Sequence, residues 1–178
     1  RAGSLTALGL RKCGLSDATT AVLGGALAHP GAHLRTLNLG SNDVGNEGAV
    51  ALGESLGRSP TLRVLDLRDN QVGDQGVTAL AEGLVRSKTL AELNLASNRV
   101  GNQGAAALAE GLKRSETLTK LNLGDNRVGD QGAHALGTSL QHSEALAELN
   151  LKRNRKVGSA TKQALLALPG ISTRLVFD

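Results

Sequence analysis

A chain of 178 residues, 40% hydrophobic and 20% charged, is long enough to bury a core and unlike either a disordered tail or a membrane protein. Its formal charge of +4 arises from 20 basic residues interspersed with 16 acidic ones, the pattern of a solvated mixed surface, so nucleic acid is not the expected partner. One Phe and no Trp, Tyr or Met leave Leu, Val and Ala to fill the interior, which suits a thin, repeated core. No apolar run approaches the roughly 18–20 residues needed to cross a bilayer, and no charged-then-apolar leader opens the chain. The lone Cys13 has no partner for an internal disulfide, and Asn-x-Ser/Thr sequons are absent, so the expected setting is the cytoplasm. The first residue is Arg1 rather than Met, as expected of a processed product or of a portion of a longer protein.

Taken in chain order, the segments reveal a period. LTALGLRKCGLS at Leu5 is a degenerate first copy of LRTLNLGSNDVG at Leu34, which returns as LRVLDLRDNQVG at Leu62, LAELNLASNRVG at Leu90, LTKLNLGDNRVG at Leu118 and LAELNLKRNRKVG at Leu146. The spacing is 29 residues once and 28 thereafter. In L-x-x-L-x-L the last two leucines are two apart, the period of a strand with one face buried, and the strand is expected over about Val64–Arg68 with Leu65 and Leu67 inward. Each unit then carries a segment rich in Ala, Leu and Glu, with Leu80 and Leu84, or Leu108 and Leu112, at helical spacing. Asn46, Asp74, Asn102 and Asp130 stand where they could cap these helices, and Gly45, Gly73, Gly101 and Gly129 where the chain must bend. A second Gly three residues on is expected to let each helix start approach the strand layer. The last helix, Ser159–Leu168, stops at Pro169-Gly170, and ISTRLVFD supplies a final strand whose Leu175, Val176 and Phe177 are expected to plug the open core.

One strand and one helix cannot bury their own apolar faces, but stacked copies can. Each buried Leu then contributes on the order of 1.5–3 kcal/mol. The expected fold is an α/β right-handed solenoid, parallel strands on the concave face and helices on the convex face. It forms a single domain over residues 1–178, with about six repeats starting at Leu5, Leu34, Leu62, Leu90, Leu118 and Leu146 and a C-terminal cap over 159–178.

The pattern LxxLxLxxNxVGxxGaxaLaegLxrs resembles the ribonuclease-inhibitor class of leucine-rich repeats over nearly the whole chain. That class includes the sensor regions of NOD-like receptors and Ran GTPase-activating protein. The resemblance implies a non-catalytic scaffold that binds another protein within a larger cytoplasmic protein or assembly, with association with the cytoskeleton or a cilium also open. It equally leaves open GTPase activation of the Ran type, or ligand sensing in an innate immune receptor. Near-identical units such as GDQGVTALAEGL and GNQGAAALAEGL also suit a consensus scaffold, against which stand the irregular first repeat and the inserted Lys156.

Candidate chemistry is sparse. Asn42, Asn70, Asn98, Asn126 and Asn154 recur once per unit and are expected to form a structural ladder, their amides serving backbone groups where strand turns to loop; Cys13 holds the same place in the first unit. His29, His33, His134 and His142 are scattered and lack the further ligands zinc requires, and no phosphate-binding, dinucleotide or hydrolase motif occurs, so neither metal, cofactor nor catalysis is expected. The outward strand positions remain. One column reads Ala7, Thr36, Val64, Glu92, Lys120, Glu148; the next Gly9, Asn38, Asp66, Asn94, Asn122, Asn150; beyond them lie Arg11, Lys12, Arg68, Lys152 and Arg153. From these come the candidate partner-binding residues Arg11, Lys12, Asn38, Asp66, Arg68, Glu92, Asn94, Lys120, Asn122, Glu148, Asn150, Lys152 and Arg153. The surface is polar and free of the aromatics that mark tight binding sites, and its mostly Asn column could equally be an amide ladder with no ligand.

Overall fold

Each 28-residue unit folds as one short strand and one helix, stacked side by side along the chain. The computed structural model describes residues 4–178; Arg1, Ala2 and Gly3, the first residues of the expected domain, lie outside the described residues. The strands are β1 (Ala7–Gly9), β2 (Thr36–Asn38), β3 (Val64–Asp66), β4 (Glu92–Asn94), β5 (Lys120–Asn122), β6 (Glu148–Asn150) and β7 (Leu175–Val176). Between them run α1 (Asp17–Leu27), α2 (Asn46–Leu56), α3 (Asp74–Arg86), α4 (Asn102–Arg114), α5 (Asp130–Ser139) and α6 (Ser159–Leu166). All seven strands form one parallel sheet in chain order. Neighbouring strands lie about 4.8 Å apart and packed helices 8–10 Å apart, so a stack of such units bends with its strands inside the curve.

The strands are shorter than the five residues expected, ending at Asp66 rather than Arg68, yet the ladder of backbone bonds runs on: the Leu67 N–H reaches the Asp66-equivalent carbonyl of Asn94 at 2.8 Å and the Asp69 N–H that of Ala96 at 2.9 Å. The register pairs Leu37, Leu65, Leu93, Leu121 and Leu149 in one row, each fully buried, with Leu39, Leu67, Leu95, Leu123 and Leu151 in a second. Leu80, Leu108 and Leu136 close the seam from the helix side.

The turn that lifts the chain off the sheet is not made by glycine. Lys12, Ser41, Asp69, Ser97, Asp125 and Arg153 take the left-handed conformation with φ between 54° and 59°, whereas Gly45, Gly73, Gly101 and Gly129 are extended, with φ between −102° and −108°. The second glycine answers to the preceding helix rather than the strand layer: a Cβ on Gly76 would stand 2.7 Å from the Ala49 Cβ. Only hydrogen fits there.

The expected self-capping also gives way to a different arrangement. Asn46, Asp74, Asn102 and Asp130 are the first residues of their helices, not the caps, and each side chain reaches forward to the next repeat. Asp74 Oδ1 accepts the Gly101 N–H at 2.7 Å and the Gly104 N–H at 3.0 Å; Asn102 Oδ1 accepts those of Gly129 and Gly132 at 2.8 and 3.1 Å; Asn46 serves Gly73 and Gly76 in the same way. These N–H groups are the ones a helix start leaves without an internal partner. Asp17 and Asp130 end the series on Gly45 and Gly158. Hydrogen bonding by the Thr161 hydroxyl, then by the Gly158 N–H, holds the Asp130 carboxyl below its ordinary pKa of 3.8. A depressed folded pKa means that this contribution is present above the ordinary carboxylate range and lost as pH falls through the folded value. Asp74→Ala should cost about 1 kcal/mol in urea denaturation, whereas Asp74→Asn, which keeps the acceptor that Asn46 and Asn102 already use, should stay within a few tenths. Equal losses in both would show that charge, not the acceptor, does the capping.

The two ends differ. At the C-terminal end Leu165, Ile171 and Leu175 are the buried plug, while Phe177, expected to fill that place, is half-buried with the Lys162 ammonium 5.7 Å from its ring centre. α6 stops at Leu166, two residues short of the expected end. Arg174, invisible as a cap in the sequence, donates to the carbonyls of Leu146 (2.6 Å), Leu140 (2.8 Å) and Ser143 (2.6 Å). At the other end Leu5 and Val22 are 61% and 74% exposed.

Candidate functional site

The asparagine row recurs because every copy faces the same deficit, a turn whose backbone groups have left the sheet but not the interior. Asn98 Nδ2 donates to the carbonyls of Leu67, Leu95 and Ala96 at 2.9, 3.2 and 3.1 Å, and its Oδ1 accepts the Val72 N–H at 2.9 Å. Asn42, Asn70, Asn126 and Asn154 repeat the arrangement, each tying its own loop to the preceding repeat. With both polar atoms committed, these amides are closed to a ligand. Cys13 has no described repeat before it to reach. Its N–H donates to Asn42 Oδ1 at 2.9 Å and its exposed thiol lies 3.5 Å from the Arg11 carbonyl.

The strand wall is different. Strand register sets Ala7, Thr36, Val64, Glu92, Lys120 and Glu148 in one row and Gly9, Asn38, Asp66, Asn94, Asn122 and Asn150 in the next. A shallow hollow of about 320 Å³ opens on it between β3 and β6, lined by Asp66, Glu92, Asn94, Lys120, Asn122 and Glu148. Lys120 Nζ lies 3.2 Å from Glu92 Oε1, and Arg68 Nε 3.1 Å from the half-buried Asp66 Oδ2, solvent-accessible pairs worth a few tenths of a kcal/mol to about 1 kcal/mol each. Glu148 is exposed and has no cation within 4.0 Å among the described residues.

The asparagine column divides its two polar atoms between structure and solvent. Each Oδ1 accepts the N–H two residues on: Gly40 on Asn38 at 2.9 Å, Ala96 on Asn94 at 3.1 Å, Gly124 on Asn122 at 3.0 Å, Lys152 on Asn150 at 2.9 Å, with Asp66 doing the same for Arg68 at 3.0 Å. This side-chain turn fixes each amide plane. The four NH2 groups, two donors each, bond to nothing else among the described residues, and they stand in file on rigid backbone. Sequence reasoning placed the column but not this split, which depends on side-chain rotamers.

The remaining candidates lie around this wall. Arg11 Nε donates to Ser41 Oγ at 3.3 Å, Lys12 is exposed at the first turn, and Lys152 and Arg153 are exposed in the turn after β6. Among the described residues no three His, Cys, Asp or Glu side chains are grouped to hold a metal ion, and no helix is long and apolar enough to cross a membrane. The site offers recognition chemistry: aligned donors and, at Glu148, a carboxylate without a cation partner among the described residues.

No curated protein matches the chain in sequence. A solved structure titled "Leiomodin-1 Actin-Binding Site 2 (ABS2)" is similar, with a TM-score of 0.67 and 22% identity over 84% of this chain and 87% of that one, a likeness of fold. The model of the family described as "Leucine Rich repeat" matches residues 32–53, 58–81, 86–109 and 114–137, which is more than half of the chain. With its register, its buried leucine rows and its asparagine ladder, the chain belongs to the leucine-rich-repeat family.

Proposed function

We propose that the strand wall between β3 and β6 binds another protein, and that the chain is a non-catalytic interaction module of a larger cytoplasmic assembly. The observation that carries this reading is the file of uncommitted amide donors at Asn94, Asn122 and Asn150, flanked by Glu92 and by Glu148, which has no cation partner among the described residues. A partner's backbone carbonyls suit the amides and its lysine or arginine suits Glu148, and because the wall is held in register little ordering entropy opposes docking. The 28-residue period with a full helix in every unit supports the ribonuclease-inhibitor type of repeat.

Affinity capture from cells with Glu92→Lys/Glu148→Lys beside the unmodified chain tests the wall. At least one captured protein should fall roughly tenfold or more, since reversing charge against a complementary partner adds repulsion to the lost contact. An identical captured set for both chains would remove the wall from consideration. Actin is the first partner to assay by cosedimentation, because the similar leiomodin fold carries an actin-binding site in its title; failure to pellet removes actin, not the wall. A cytoskeletal setting rests on that assay.

A further inference from the structure

The net charge of the chain has an address. Lys152, Arg153, Arg155 and Lys156 supply four positive charges in the loop after β6, and the chain's net charge is +4, so the rest of the sequence is formally neutral. All four side chains are exposed. None of them makes a hydrogen bond or has a carboxylate within 4.0 Å among the described residues; Asp178, the acid beside them, spends a carboxylate oxygen on the Arg153 backbone N–H at 2.6 Å.

The neighbouring repeat adds to the excess. One position after each ladder asparagine the chain carries Asp43, Gln71, Arg99, Arg127 and Arg155. The first three form a relay across adjacent repeats: Gln71 Nε2 donates to Asp43 Oδ1 at 3.2 Å, and the Arg99 guanidinium to Gln71 Oε1 at 3.1 Å. There the pairing stops. Arg127 is exposed and unpaired among the described residues, and Lys156, an insertion peculiar to this repeat, is held two residues from it in the neighbouring loop by a parallel backbone bridge to Gly129. Adjacent repeats stand about 5 Å apart on the strand side, where facing like charges destabilise. A row that begins internally satisfied thus ends in uncompensated cations, and the insertion enlarges the excess instead of diluting it.

We propose that this corner, Arg127, Arg155 and Lys156 with Lys152 and Arg153 beside them, is a second interaction site that takes an acidic polypeptide segment, one bearing clustered Asp or Glu. Guanidinium groups hold carboxylates through paired N–H donors, and a short acidic stretch would neutralise several of these cations at once. A nucleic-acid strand fits less well: the ring at this end of the stack, Phe177, is packed against the core with Lys162 over it and is not free to stack on a base. A membrane surface fits less well too, since the corner's apolar residue, Val157, is 5% exposed and gives nothing to insert. The site is separate from the strand wall and does not depend on what the wall binds.

Fluorescence anisotropy of a labelled short polyglutamate peptide tests the assignment on the whole chain. Binding should weaken with salt, and Arg127→Gln/Arg155→Gln/Lys156→Gln should lower affinity roughly tenfold. Arg58→Gln/Arg86→Gln/Arg114→Gln, which removes the same charge from the helix C-termini, should stay within about twofold. A control variant that loses as much would show attraction by net charge alone and overturn the proposal, as would no binding at all. Tighter retention of a DNA duplex or of phosphatidylserine vesicles than of the peptide would overturn it in favour of those partners. Glu92→Lys/Glu148→Lys should bind the peptide no more weakly than the unmodified chain, so failure here and failure of the strand wall are separately visible. Thermal melts of each variant, expected to match, separate lost contacts from lost fold.

Discussion

Leu121→Ala should lower the unfolding free energy by about 2–5 kcal/mol, read as a shift of the urea midpoint. Leu121 sits on β5 between Leu93 and Leu149, 1% exposed. A globular interior can collapse partly into such a void from several directions. Here the flanking leucines of its own row belong to the two neighbouring repeats and are pinned by register, and the helix-side leucines that close the seam are themselves fully buried. The loss should therefore lie toward the upper half of the range, and Leu8→Ala at the half-buried end of the same row should cost less. A loss below about 1 kcal/mol at Leu121 would mean that the leucine rows are not closely packed.

The second large effect is expected from one atom. Asn98→Asp keeps the oxygen that receives the Val72 N–H but replaces the NH2 that serves Leu67, Leu95 and Ala96 with a second oxygen. A carboxylate would then face three carbonyl oxygens in a position 8% exposed. The cost at neutral pH should reach about 3 kcal/mol or more, above the 1–3 kcal/mol of leaving the same groups unsatisfied in Asn98→Ala. The variant should also acquire a pH dependence that the alanine lacks. Burial among carbonyls raises the folded pKa of the new carboxyl above its unfolded value near 3.9, so the penalty is small in acid and grows as pH rises between the two values. Denaturation of both variants across that range, each taken against the unmodified chain, reads this directly. Parallel curves for Asp and Ala would show that the amide does not face the carbonyls.

Periodicity made most of the architecture legible before any coordinates. Leucines two apart fixed the inward face, the constant 28-residue offset fixed the register, and together they set the outward columns Glu92–Lys120–Glu148 and Asn94–Asn122–Asn150 in their rows. What stayed hidden involves contacts that a period cannot express. Asp74 reads as the cap of the helix it precedes, yet its partner is Gly101, 27 residues on, because the true cap is a glycine with no side chain to offer. The left-handed turn falls on Lys12, Ser41, Asp69, Ser97, Asp125 and Arg153, residue types that share no signal for that conformation. Arg174 looks like one more surface cation and instead closes three carbonyls at the end of the stack. Lys152, Arg153, Arg155 and Lys156 stand close together in the sequence; that they and Arg127 lack partners among the described residues, while Arg99 has one, is a matter of side-chain placement.

The bonds that join the units point in fixed directions, the ladder asparagine toward the repeat before it and the capping Asp or Asn toward the repeat after it. Any interior cut between units therefore exposes the same two sets of half-bonds, and a duplicated unit spliced into the cut would find both complements waiting. Length in such a molecule is a quantity evolution can adjust in whole steps, extending the reach of the wall without redesigning a single joint.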